Sequence, residues 1–144
     1  MRAFHGRWRV RRRILDARTS KVTRFEGTAL ISPERFEENG ILHYDGQTFH
    51  ARRLYRLVFR ERVVDVHFED GRFFITLIVA TAQNVQHVCG DDRYRGRFIF
   101  AQNDSWTESW SVLGPRKSYK TLARYWRAEL KGPIEEIRRQ SLSG

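Results

Sequence analysis

The chain has 144 residues, a formal net charge of +10 and a pI near 10.6; 40% of it is hydrophobic, with ten Phe, five Tyr and four Trp. That size and aromatic content exclude a disordered polypeptide and allow a core to be buried without metals or disulfides. The single cysteine, Cys89, excludes an intramolecular disulfide and a cysteine-based metal site, and no apolar run is long enough to span a membrane as a helix.

The stretch Phe4 to Ile14 has a pattern that the later strands repeat. Phe4, Gly6, Trp8, Val10 and Ile14 fall on one side of an extended chain and Arg7, Arg9, Arg11 and Arg13 on the other, because successive side chains of a strand point to opposite faces. Nothing resembling a signal peptide precedes it, so an intracellular, cytoplasmic protein is expected. After the polar turn Asp16–Lys21 a second strand is predicted over Val22–Ile31. Ser32-Pro33-Glu34 breaks the pattern, and the segment to Asn39-Gly40 reads as a loop or one helical turn. A third strand is predicted from Ile41 to Tyr44, turning at Asp45-Gly46 into a fourth over Phe49–Arg60.

Val63–Glu69 and Arg72–Ala80 read as strands joined at Asp70-Gly71, and Thr81–Asp92 as irregular. Further strands are predicted over Arg93–Ala101, Trp106–Leu113 and Ser118–Arg127. The expected fold is all-β, an antiparallel up-and-down barrel of about eight to ten strands, because closure removes the exposed edges of a sheet. A two-layer sandwich is the alternative. The barrel domain is expected over residues 1–131. Residues 132–144 read as a short C-terminal helix or a tail, since Gly132-Pro133 breaks the pattern and Ile134, Ile137 and Leu142 form a narrow stripe.

Gly6-Arg7-Trp8 is similar to the Gly-x-Trp signature of the calycins, the lipocalin and fatty-acid-binding barrels. The resemblance implies that Trp8 plugs the closed end, with Arg124 or Arg127 from the last strand packed across it. A resemblance over nearly the whole chain is closer, to an uncharacterised, lipocalin-like family known only as a domain of unknown function. It is carried by Gly6-Arg7-Trp8-Arg9-Val10, Phe25-Glu26-Gly27-Thr28-Ala29, Phe68-Glu69-Asp70-Gly71-Arg72, His87 to Tyr94 and Trp110 to Tyr119. Where that family has Phe-His after the Asp-Gly-Arg block, this chain has Phe74-Ile75. The resemblance implies a calycin-like barrel and no settled activity.

Three groups of residues are candidates for chemistry. His87, Asp92 and Tyr94 are candidate catalytic and ligand-binding residues, because an Asp-oriented imidazole can act as a general base; the alternative is that His87 and Asp92 cap backbone groups while Tyr94 fills the barrel. Arg116, Lys117 and Tyr119 put two cations and a phenol where a carboxylate or phosphate can be held; the alternative is a solvated hairpin tip. Arg53 and Tyr55, and Arg12 by the same parity, fall on the apolar side of their strands, where a guanidinium needs an anion from a ligand or from another strand. The five histidines lack metal-site spacing, so no metal is expected, and no cofactor can be named.

Three functions compete on this reading. The first is a lipocalin-like carrier of a small, partly apolar anionic ligand, with Trp8, Tyr55, Phe98, Phe100 and Trp110 around its body. The second is a small calycin-fold enzyme doing acid–base chemistry of the lyase or isomerase type. The third is binding of nucleic acid or another anionic surface through outward arginines, against the plainer reading of arginine as a solubilising cation. A small molecule is the favoured partner and nucleic acid the less favoured one.

Overall fold

A computed structural model describes residues 4–78, 82–101 and 104–128. The chain forms β1 (Gly6–Asp16), β2 (Val22–Ile31), β3 (Arg35–Tyr44), β4 (Gln47–Arg60) and β5 (Val63–Phe68), followed by β6 (Phe73–Ile78), β7 (Ala82–Cys89), β8 (Asp92–Ala101), β9 (Ser105–Gly114) and β10 (Lys117–Arg127). These strands make one sheet in the order β6-β5-β4-β3-β2-β1-β10-β9-β8-β7. Every paired strand is antiparallel to its neighbour, and the first strand pairs with the last, Trp8 opposite Arg127 through Asp16 opposite Tyr119. The result is an up-and-down barrel, nearly closed.

The seam lies between β6 and β7. There a side chain replaces a backbone ladder: the Ile78 N–H donates to Gln83 Oε1 at 2.8 Å, and Gln83 Nε2 donates back to the Ile78 carbonyl. Further along the seam Phe74 packs edge-on to His87, with ring centroids 5.2 Å apart.

Two segments differ from the expectation. β3 begins at Arg35, so residues 35–40 are strand where a loop or helical turn is expected; its inward positions hold Phe36, Glu38 and Gly40, and the buried acid and the glycine conceal the alternation. Residues 82–89 are strand β7 where an irregular segment is expected. Its inward side chains are Gln83, Val85 and His87, of which two are polar, so hydrophobic periodicity is weak there. The expected C-terminal helix or tail lies outside the described residues.

Inside the barrel the even-numbered face of β1 meets the inward faces of β2, β8, β9 and β10. Trp8, Val10, Phe25, Ala29, Phe98, Trp106, Ala123 and Tyr125 are buried. The Trp106 ring stacks on Tyr125 with centroids 4.3 Å apart, and Trp8 meets Trp106 edge-on at the same distance.

Close approach of β2 and β3 depends on glycine. Gly27 and Gly40 are register partners, and a Cβ on Gly40 would fall 2.3 Å from the Glu26 carbonyl oxygen and 2.5 Å from the Phe25 ring. Both neighbours are fixed by packing, so little can give way. We expect Gly40→Ala to destabilise the fold by about 1–3 kcal/mol, measured by chemical denaturation; an unchanged midpoint would contradict this packing.

Candidate functional site

Strand parity turns five polar side chains into the barrel at mid-height. Glu38 on β3 is the register partner of Arg53 on β4. On the opposite wall Arg12, Ala123 and Glu108 form one row across β1, β10 and β9, and the small Ala123 lets its two neighbours meet over it. Tyr125, two residues further along β10, brings its hydroxyl to the same level.

These groups hydrogen-bond one another. Arg12 grips Glu38 with both terminal nitrogens, Nη1 to Oε2 at 3.0 Å and Nη2 to Oε1 at 2.8 Å, and Nη2 also donates to the Tyr125 hydroxyl at 2.7 Å. Arg53 Nη2 donates to Glu108 Oε1 at 3.2 Å and to Tyr125 Oη at 2.9 Å, and Nη1 reaches Tyr55 Oη at 3.4 Å. The Tyr125 hydroxyl donates to Glu38 Oε1. Two cations therefore face two carboxylates around one phenol, and the cluster is charge-balanced.

Electrostatics follow from burial. Desolvation alone would raise the Glu38 carboxyl, but the Arg53 and Arg12 charges and hydrogen bonds hold it below its ordinary 4.5. Burial, reinforced by Glu108, pushes the Tyr125 phenol well above its ordinary range, so it stays protonated and can donate. For Arg53 burial opposes the charge, yet the surrounding Tyr125, Tyr55, Glu38 and Glu108 more than offset it.

On one side of this layer lies a cavity of about 110 Å³, lined by Phe36, Phe59, Leu77 and Phe100 among other apolar side chains, with Arg53, Tyr55 and Glu108 as its polar floor. A third of the Arg53 side chain remains accessible, and it borders this cavity. Its Nε stands 2.9 Å from Glu38 Oε2 as an ion pair without making a hydrogen bond. Nε is buried against Glu38, and one Nη1 hydrogen is without an acceptor among the described residues. Of the aromatics expected around a ligand, Tyr55, Phe98, Phe100 and Trp110 line this space. Trp8 does not; it is buried beside Trp106.

The second candidate group lies at the opposite end of the barrel. Lys117 Nζ is 3.3 Å from Asp92 Oδ2 and donates to Tyr94 Oη at 3.3 Å. These contacts keep the ammonium above its usual pKa, the Tyr94 hydrogen bond contributing most. Tyr119 is half-buried beside them, and burial raises its phenol. The His87 ring lies among Phe68, Phe74 and Tyr94 at 5.2–5.9 Å. No hydrogen bond joins it to Asp92, so the oriented imidazole expected from the sequence is not assembled. Arg116 is exposed on the preceding turn, where its carbonyl accepts from Arg18.

Of the two arginines expected to cross Trp8, Arg127 does so, with Cζ 4.2 Å from the ring centroid and Nη1 donating to the His5 carbonyl. Arg124 points outward and is exposed. Glu38 and Glu108, the partners of Arg12 and Arg53, are not among the residues expected from the sequence. Glu38 lies in the segment expected to be a loop. Glu108 was legible by parity, since it alternates with the inward Trp106 and Trp110.

Residues 4–127 match a family of unknown function, DUF6314. The chain belongs to this family. No protein of curated function matches the DUF6314 chain in sequence. Among solved structures, the barrel is similar to an S-type phycobiliprotein lyase, CPES, from Guillardia theta, with a TM-score of 0.61, 10% identity and 90% of each chain covered. It is also similar to a DUF3598-family protein of unknown function from Nostoc punctiforme, with a TM-score of 0.59 and 10% identity, covering 88% of this chain and 48% of that one. At such identity the likeness is one of fold, the lipocalin-like barrel.

Glu38→Gln leaves two guanidiniums facing one carboxylate, and breaking a buried pair costs about 3–5 kcal/mol. Because the folded pKa of Glu38 lies below its unfolded value, its contribution is present above the unfolded pKa and is lost as pH falls through the folded one. We therefore expect the stability gap between wild type and Glu38→Gln to be full at neutral pH and to narrow on acidification below the ordinary carboxylate range. Denaturation midpoints measured from pH 7 downward check this; a gap independent of pH would contradict it.

Proposed function

We propose that the barrel binds a small molecule with a flat apolar body and a hydrogen-bond acceptor at one end. The supporting observation is the aromatic-walled cavity whose polar floor includes Arg53, a third of whose side chain is accessible and whose Nη1 keeps one hydrogen beyond its bond to Tyr55. Apolar walls with a few placed polar groups are the usual form of a small-molecule site. Apolar contact supplies the driving force, and the Arg53 donor orients the acceptor.

The charge balance of the floor favours a neutral acceptor, such as a carbonyl, over the anionic head expected from the sequence. Glu38 and Glu108 already neutralise Arg12 and Arg53, so a carboxylate would enter as an unmatched buried charge. Ligand binding is also in keeping with the fold likeness to a phycobiliprotein lyase. An acid–base enzyme built on His87, Asp92 and Tyr94 has less support, because Asp92 is engaged by Lys117 and His87 sits among aromatic rings.

A neutral fluorescent probe, N-phenylnaphthylamine, tests the proposal. It should bind at one saturable site and more tightly than its anionic relative, anilinonaphthalene sulfonate. Leu77→Trp, which fills the cavity from β6, should reduce probe affinity by about tenfold or more, the loss of roughly 1.4 kcal/mol. Absence of saturable binding, or equal binding to the filled variant with its fold intact, would overturn it.

A further inference from the structure

Charge on the outside of the barrel is unevenly distributed. On β3 to β5 most of the cations stand beside acids: Arg35 lies 3.1 Å and Arg52 3.9 Å from Glu37, and Arg60 lies 2.6 Å from Asp65, while Arg56 forms no ion pair among the described residues. Across β8, β9, β10, β1 and β2 the pattern changes. Arg95 and Arg97 on β8, Lys120 and Arg124 on β10, Arg11 and Arg13 on β1 and Arg24 on β2 are exposed. Among the described residues none of these forms an ion pair. Glu26, the register partner of Arg11, is the acid among the outward positions of these strands.

β9 runs between two of these cationic strands and carries hydroxyls instead. Ser111 is flanked by Arg95 and Lys120, and Ser109 by Arg97 and Leu122. Adjacent strands are about 4.8 Å apart, so the cations on β8 and β10 bound a track roughly 10 Å wide. A groove of about 620 Å³ occupies it, lined by Arg95, Arg97, Ser109, Ser111 and Lys120. A second groove of about 330 Å³ is lined by Arg11, Arg13, Arg24 and Arg124 together with Glu26 and Leu122.

We propose that this face binds the phosphodiester backbone of nucleic acid. Guanidiniums offer paired donors to phosphate oxygens, and serine hydroxyls between them add further donors. The cations recur at about 6.7 Å along β8 and β1, stand about 13 Å apart on β10, and face one another across β9. A repeating polyanion engages such an array, whereas a single small anion meets only one or two of its members. The face lacks stacking platforms: its outward aromatic, Trp126, lies under Arg11, whose Cζ is 5.9 Å from the ring centroid. Contact is therefore with backbone rather than bases, and is independent of sequence.

Fluorescence anisotropy of a labelled duplex of about 20 base pairs, titrated with the full chain at several salt concentrations, tests this. Two variants remove the same charge from opposite faces: Arg95→Gln with Arg97→Gln and Lys120→Gln, and Arg35→Gln with Arg52→Gln and Arg56→Gln. The wild type should bind with an affinity that falls linearly with salt on logarithmic axes. The first variant should lose about tenfold or more in affinity at low salt and show a slope shallower by about 2 to 3, while the second stays within about twofold. Thermal melts verify that both keep the fold. Equal loss in the two variants would mean net charge alone and would overturn the proposal. So would absence of duplex binding by the wild type, or binding to vesicles of anionic phosphatidylglycerol with none to the duplex.

Discussion

A charge-balanced cluster at the centre of the barrel is the constraint to which the rest of the structure conforms. Arg12, Arg53, Glu38 and Glu108 come from four strands distributed around the wall, and each must arrive with its side chain pointing inward. A one-residue slip of any of these strands would turn one charge out and leave its partners buried and unpaired. The cluster thus specifies register in a sheet whose outer face, with arginine on most strands, does little to distinguish one register from the next. The Tyr125 hydroxyl accepts from both guanidiniums and donates to Glu38, which links the polar groups of the cluster in a small volume.

The same cluster divides the interior. On one side it floors an apolar cavity; on the other, Lys117, Asp92, Tyr94 and Tyr119 occupy the opposite mouth. It also explains why Arg53 differs from the surface arginines. Its charge is neutralised by the protein, but one Nη1 hydrogen lacks an acceptor among the described residues, so what it offers a ligand is direction more than charge. Outside, the sheet alternation turns Arg35, Arg52 and Arg60 beside acids on β3 to β5, and Arg95, Arg97, Arg124, Arg11, Arg13 and Arg24 to solvent with no ion pair among the described residues.

The strands and their inner and outer faces were legible wherever both faces kept to type. Arg12 and Arg53 could be placed inside by parity alone, and their need for anions followed from the cost of burying a charge. The identity of those anions was less accessible. Glu38 sits in a stretch, Arg35 to Gly40, where an inward acid and an inward glycine break hydrophobic periodicity, so only the later part of β3, Ile41 to Tyr44, is legible as strand. β7 was hidden for a related reason: Gln83 and His87 point inward because they serve the seam, one replacing a ladder hydrogen bond and the other packing on Phe74. His87 and Asp92, close in sequence, looked like a catalytic pair, yet pairing with Lys117 from the next hairpin is a tertiary contact that local spacing does not encode.

The most direct test is a crystal structure of the protein under xenon pressure, since xenon enters apolar cavities that are empty of water. A central cluster that holds its own shape and leaves an apolar chamber beside it predicts a xenon site among Phe59, Leu77 and Phe100, with the Arg53 and Glu38 side chains unmoved. A chamber filled by collapsed side chains, with no xenon site and with Arg53 turned into the space, would contradict it.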